Sequence, residues 1–195
     1  MDKRYRILDV RDLWRGFLKL KGYRLEHQCF AGGWCRALER ERVEGNHAVS
    51  VLLYDPIRDQ VVLVEQFRIG VVGHHEPPWL LETVGGYVEE GETLEAVARR
   101  ETLEEAGCEI EELLFIGTFF TSPGWSSERI SLYCGLVDSR RADGIHGLAA
   151  EGEDIRVVVM AAEQAIGELF GRANSTSVVV GLQWLAANRE RLRAG

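Results

Sequence analysis

The sequence predicts an α/β fold: a mixed β-sheet in an α/β/α sandwich, with a small N-terminal β arm. Three observations carry this reading. Strand-like runs rich in β-branched residues recur along the chain, one helical segment interrupts them, and two more helices close it. At 195 residues the chain suffices for one domain with a substantial core and a small appendage. We therefore divide it into an arm over 1–45 and a main domain over 46–195.

The arm comes first. Its stretch "FLKLKGYRLEHQ" alternates in the strand manner, placing Leu18 and Leu20 on one side, with Lys21-Gly22 as a turn candidate. So short a sheet is marginal alone and needs another surface to bury its apolar side. The main domain opens with "VSVLLYD" and "QVVLVEQF", joined by "PIRD" as a hairpin. "WLLETVGGYV" follows as a strand, after a loop containing His74 and His75 that we read as surface. A helix is predicted from about Thr93 to Ala106, stopped by Gly107. "LLFIGTFF", "ERISLYCGLV" and "EDIRVVVM" are three further strands, and helices near 162–170 and 177–191 finish the chain.

Composition narrows the function classes. With 31 acidic against 23 basic residues, the formal charge of -8 argues against a phosphate-backbone binder, which needs a basic face. No apolar run approaches the ~18 residues needed to span a bilayer, and "MDKRYRILDV" lacks the apolar segment of a signal peptide. A cytoplasmic location is the expectation. Cys29, Cys35, Cys108 and Cys134 show no CxxC spacing and read as reduced thiols.

The predicted helix holds an anomaly. Leu94, Val97 and Ala98 form an apolar stripe at helical spacing, and Glu101 and Glu105 continue the same stripe. Carboxylates stand where a core asks for leucine, and an isolated buried carboxylate is costly, so a cationic partner is implied. The upstream "GGYVEEGE" adds Glu89, Glu90 and Glu92, with glycines that let a ligand approach the backbone closely. Hard oxygen donors converging on a small space suit Mg²⁺ or Mn²⁺.

Gly86, five residues, Glu92, seven residues, then Arg100-Glu101-Thr102-Leu103-Glu104-Glu105-Ala106-Gly107-Cys108 resembles the Nudix box of the Nudix hydrolases. Thr102 departs mildly, standing where the family usually has an aliphatic residue. The resemblance implies the Nudix fold and a loop–helix–loop that holds divalent metals against a pyrophosphate. It makes Glu101 and Glu105 metal ligands, with the Gly85 carbonyl contributing. Glu104 assists them, and Arg100 pairs with Glu92.

The resemblance extends over most of the chain, toward the ADP-ribose pyrophosphatases of the superfamily. "TSPGWSSE" is similar to their downstream segment, with Pro123 sixteen residues after Gly107. Trp125 departs, since a smaller residue is common there; it either stacks on substrate or packs. In "HGLAAEGEDIRV" the resemblance casts Glu151 as general base and Glu153 as an additional metal ligand, and leaves open an exchange of those two roles. It places Arg68, Arg40, Phe17 and Glu128 against the substrate, Phe17 on the adenine and Glu128 toward the terminal ribose. In the subfamily the arm reaches across a two-fold axis, so a homodimer with arm exchange is implied, in which Phe17 and Arg40 serve the partner's site.

The leading function is Mg²⁺-dependent hydrolysis of ADP-ribose to AMP and ribose 5-phosphate. Two alternatives stand beside it: a GDP-mannose or other nucleotide-sugar pyrophosphatase, and a non-catalytic nucleotide sensor. The segment around Pro123 favours ADP-ribose, and the retained Glu101, Glu104 and Glu105 argue against the sensor.

Overall fold

The computed structural model describes residues 3–75, 77–148 and 152–194, which form two compact units. One unit comprises Met1–His47 with Phe120–Arg129, and the other Ala48–Phe119 with Ile130–Gly195.

The first unit contains an antiparallel sheet of β1 (Tyr5–Arg15), β2 (Lys19–His27) and β3 (Leu38–Val43) in that order. The chain reverses at Gly16, whose N–H donates to the Leu18 carbonyl at 3.0 Å, and not at Lys21-Gly22. Gly22 lies inside β2 for a different reason. A Cβ there would stand 3.1 Å from Nε of Arg11, so the missing side chain lets Arg11 cross the sheet. A second correction concerns the thiols. Gly32 and Gly33, both at positive φ, fold the segment after β2 so that Gln28 bridges Trp34. Cys29 and Cys35 then lie with Cα atoms 5.2 Å apart and are joined as a disulfide. A spacing of six gave no sign of this, because the tight turn is what closes the distance. Cys108 and Cys134 are free and buried, and burial pushes their thiols up to about 11 and about 12. Every residue of β1 is exposed.

The second unit is built on β4 (His47–Asp55), β5 (Gln60–Phe67), β6 (Trp79–Glu82), β7 (Val84–Tyr87) and α1 (Leu94–Ala106). There follow β8 (Glu112–Phe120), β9 (Arg129–Leu136), β10 (Ile145–His146), β11 (Ile155–Ala161), α2 (Ala162–Gly167) and α3 (Thr176–Arg193). The sheet runs β10-β11-β5-β4-β9-β8, with β6 added to β5 and β7 to β4.

The central strands bury both faces, which explains their unbroken apolar runs. From β4, Val49, Val51 and Leu53 pack with Val97, Ala98 and Ala106 of α1. The alternate residues Leu52 and Tyr54 pack with Ala162 and Ala165 of α2 and Val178, Leu182 and Leu185 of α3. Strand β5 repeats the alternation, Val62 and Val64 on the first side, Val61 and Leu63 on the second. Helices on opposite faces of one sheet make the α/β/α sandwich that the sequence predicts. Burying each such leucine or valine is worth about 1.5–3 kcal/mol, so a one-residue register slip in β4 would be prohibitive.

The run "WLLETVGGYV" is not one strand. At Thr83 it changes neighbour, β6 pairing with β5 and β7 with β4. The Ser50 and Thr83 hydroxyls share a hydrogen bond at 2.6 Å in the buried gap, so the break leaves no side-chain polar atom unpaired. Helix α3 is fixed at its far end by Asp59, which accepts from Nε of Arg189 at 2.7 Å and from the Tyr54 hydroxyl at 2.8 Å.

Candidate active site

Helix α1 begins where Thr93 accepts the Ala96 N–H at 3.2 Å and ends at Gly107 in the left-handed region, φ 65°. Its buried face is Val97, Ala98, Thr102, Glu105 and Ala106. Thr102 is fully buried and satisfies its hydroxyl on the Ala98 carbonyl at 2.7 Å, so threonine packs in an aliphatic slot.

Glu105 continues that face at only 5% exposure. Its Oε2 accepts the Gly85 N–H of β7 at 3.0 Å. Burial dominates its chemistry and pushes the carboxyl up to about 8, with Glu101 and Glu153 adding repulsion against the relief from Gly85 and Arg68. Burial also raises Glu101 above the usual carboxylate range, offset by Arg100. A carboxyl at about 8, as in Glu105, is ionised at neutral pH only if added positive charge balances it. The donor set, all hard oxygen, fits Mg²⁺ or Mn²⁺.

Arg100 organises the acids around it. Its guanidinium donates to Glu92 at 3.1 Å, Glu101 at 2.8 Å and Glu104 at 3.1 Å, tying the loop before α1 to the helix. Glu92 also accepts the Glu89 N–H at 3.0 Å. These hydrogen bonds, Glu92 foremost, raise the Arg100 pKa still further. Gly86 is required by close approach, since no atom could occupy its Cβ position beside the Glu101 carboxylate.

Arg68 belongs to the same electrostatic neighbourhood, because its charge lowers the Glu105 carboxyl. Its Nε donates to Glu82 of β6 at 2.5 Å. Glu82 escaped the sequence reading, since only the pairing of β6 along β5, which sets Glu82 opposite Val64, brings it within reach of Arg68. Glu153 sits before β11, its Oε2 accepting the Leu148 N–H at 3.1 Å. Glu101, Glu104, Glu105, Arg100, Gly85, Arg68 and Glu153 thus share one region. Glu101 leans on Arg100, Glu105 on Gly85 and Glu153 on Leu148, and among the described residues no three acidic, His or Cys side chains form a closed cation cage. Glu151 lies outside the described residues.

The remaining candidates belong to the first unit. Phe17 is 95% exposed at the turn between β1 and β2. Arg40 on β3 lines a cavity of about 270 Å³ together with Arg11, Leu13, Gly22, Glu39 and Glu41. Glu128 is held rigidly: it accepts the Thr121 hydroxyl at 2.8 Å, and Gly45 leaves no room for a Cβ beside it. His74 and His75 lie on an exposed turn.

A NUDIX domain model matches residues 46–180. The ADP-ribose pyrophosphatase of Escherichia coli (strain K12) is 46% identical over 182 residues, covering 93% of this chain and 87% of that one. The ADP-ribose pyrophosphatase of Haemophilus influenzae is 45% identical over 191 residues, covering 96% and 88%. A GDP-mannose pyrophosphatase of Citrobacter koseri is 34% identical over 150 residues, covering 75% and 77%. A solved structure described as an ADP compounds hydrolase superposes with a TM-score of 0.70 at 19% identity, covering 95% of this chain and 96% of that one, which speaks for the fold. With the box glutamates gathered on α1 and a family model spanning most of its length, the chain belongs to the Nudix family.

Proposed function

We propose that the protein hydrolyses ADP-ribose to AMP and ribose 5-phosphate with Mg²⁺, Mn²⁺ being an alternative cation. The observation that carries this reading is the Glu101–Glu105 face of α1, on which Glu105 is buried with no cationic side chain bonded to it among the described residues. Two relatives at 45–46% identity named ADP-ribose pyrophosphatase support the choice of sugar nucleotide over the GDP-mannose enzymes at lower identity.

Glu101, Glu105, Glu153 and the Gly85 carbonyl would hold the cations, with Glu104 assisting. When bound, such cations neutralise diphosphate oxygens and acidify the attacking water. Arg100 holds the Glu101 and Glu104 carboxylates in place by hydrogen bonds. Glu151 accepts the proton of the water as its oxygen bonds to phosphorus and the bridging P–O bond breaks. Arg68, braced by Glu82, faces the diphosphate. Phe17 stacks on the adenine, Arg40 contacts the nucleotide, and Glu128 meets the terminal ribose.

Phe17 and Arg40 would come from a partner subunit by exchange of the arm, residues 1–45, across a homodimer, leaving 46–195 as the hydrolase domain. The fully exposed β1, with Tyr5, Ile7 and Trp14 open to solvent among charged neighbours, supports this, because large apolar side chains left in water favour a covering surface. Among the described residues no helix is long and apolar enough to cross a membrane. We place the protein in the cytoplasm.

The test is a product assay on ADP-ribose, GDP-mannose, ADP-glucose and diadenosine polyphosphates with Mg²⁺. The expected result is kcat/KM for ADP-ribose above all others; preference for GDP-mannose would overturn the assignment. Running the reaction in H₂¹⁸O identifies the phosphorus attacked.

A further inference from the structure

The His146 ring occupies a cleft between two glycines. A Cβ on Gly107, the residue ending α1, would stand 2.8 Å from Cε1 and 3.2 Å from Nε2 of His146. A Cβ on Gly144 would lie 3.5 Å from the same Nε2. That nitrogen is 2.6 Å from the Asp143 carbonyl, which can only accept, so Nε2 carries the proton and donates. The ring is therefore docked against the C-terminal end of the helix that carries Glu101 and Glu105, with its orientation set by that hydrogen bond.

The next residue connects this dock to the site. Gly147 adopts φ 99°, and a Cβ there would meet the Cβ of Glu153 at 2.7 Å. Glu153 is also bonded to the residue after Gly147, its N–H donating to the Leu148 carbonyl at 3.3 Å and its carboxylate accepting the Leu148 N–H at 3.1 Å. Glu153 in turn acts electrostatically on Glu101 and Glu105. A continuous run of packed atoms links the end of α1 to Glu153 through His146 and Gly147.

We propose that His146 is a positioning residue: docked between Gly107 and Gly144, it registers Gly147 and Leu148, and with them the Glu153 they hold, against helix α1, and so sets the place of the Glu153 carboxylate beside Glu101 and Glu105. It touches no reacting atom. Its effect belongs to the chemical step, since a displacement of about 1 Å in a reacting group can cost on the order of 100-fold in rate. Substrate affinity, supplied elsewhere, is unaffected. This inference rests on the hydrolase reading for its kinetic arm only.

The experiment compares wild type, His146→Ala and His146→Gln. Glutamine places a donor nitrogen near the position of Nε2, whereas alanine removes both ring and donor. Amide hydrogen exchange, followed without substrate, is expected to accelerate at Leu148 and Glu153 in His146→Ala and to return toward wild type in His146→Gln. Steady-state kinetics on ADP-ribose should show kcat about tenfold or more below wild type in His146→Ala, with KM within about twofold, and substantial recovery in His146→Gln. Unchanged exchange at those two amides overturns the proposal whatever the substrate proves to be. So does an unchanged kcat, a loss confined to KM, or a glutamine variant as impaired as the alanine one. If the wild type leaves ADP-ribose intact, the substrate assignment fails and the exchange comparison alone decides.

Discussion

Gly86 and Glu101 are in such close approach that a methyl group on the Gly86 α-carbon would fall 1.8 Å from Oε1 of Glu101. The glycine is thus spatial in purpose: β7 runs directly against the carboxylate, and only hydrogen fits between them. Gly86→Ala is expected to push the Glu101 carboxylate off its place. Turnover should fall about 100-fold and Mn²⁺ binding, followed by titration calorimetry, should weaken about tenfold. Gly86→Ala with native Mn²⁺ affinity and turnover would remove the steric reading.

Glu105 sets the pH behaviour of the metal-free protein. Its carboxyl is raised by burial to about 8 in the folded state, above its ordinary value of 4.5. Between those values the folded chain holds a proton that the unfolded chain has released, so stability is greatest below the lower value and is lost as pH rises toward the upper one. The slope is at most about 1.4 kcal/mol per pH unit. Urea denaturation in EDTA should therefore give a lower midpoint at pH 8 than at pH 6, and Mg²⁺ should reduce the difference. In Glu105→Gln the pH trend should largely disappear; a trend of equal size in that variant would point to another group.

Arg189 and Asp59 hold the end of α3 to the β4–β5 hairpin, and Arg193 lies 3.5 Å from the same carboxylate. The Arg189 hydrogen bond leads the forces that depress Asp59 to about 2. A depressed carboxylate contributes stability above its unfolded value and loses it as pH falls through the folded one. Arg189→Met is expected to cost about 1.5–3 kcal/mol near pH 7 and less at pH 2, read from thermal melts. An equal cost at both pH values would assign the effect to lost packing of the arginine stem.

Glu82 braces Arg68 from β6. Glu82→Gln keeps a hydrogen-bond acceptor and removes the counter-charge, so Arg68 becomes freer to wander. The expected outcome is a KM for ADP-ribose raised about three- to tenfold with kcat little changed, a loss of about 0.7–1.4 kcal/mol in binding. A variant with a native KM would show that Arg68 needs no brace.

Much of the main domain was legible because both faces of β4 and β5 are buried, so their β-branched runs are continuous and unmistakable. The helix bearing Glu101 and Glu105 was legible for the opposite reason: carboxylates broke an apolar stripe. What escaped depended on neighbours distant in sequence. Lys21-Gly22 reads as a turn, yet Gly22 serves the crossing of Arg11 from another strand. The break at Thr83 follows from which strand lies alongside, and Glu82 gains its meaning only through that pairing. The Cys29–Cys35 bridge needed the backbone path through Gly32 and Gly33.

The change of neighbour at Thr83 has one more effect. Glu82, the support of Arg68, and Gly85, the amide donor to Glu105, are separated by three steps of covalent chain while riding on two different strands. That short span acts as a tether: it limits how far the support of the guanidinium and the support of the carboxylate can separate, to about 10 Å along the backbone. One residue inserted between Glu82 and Gly85 would lengthen the tether, and the cationic and anionic halves of the site would part company while each remained individually well folded.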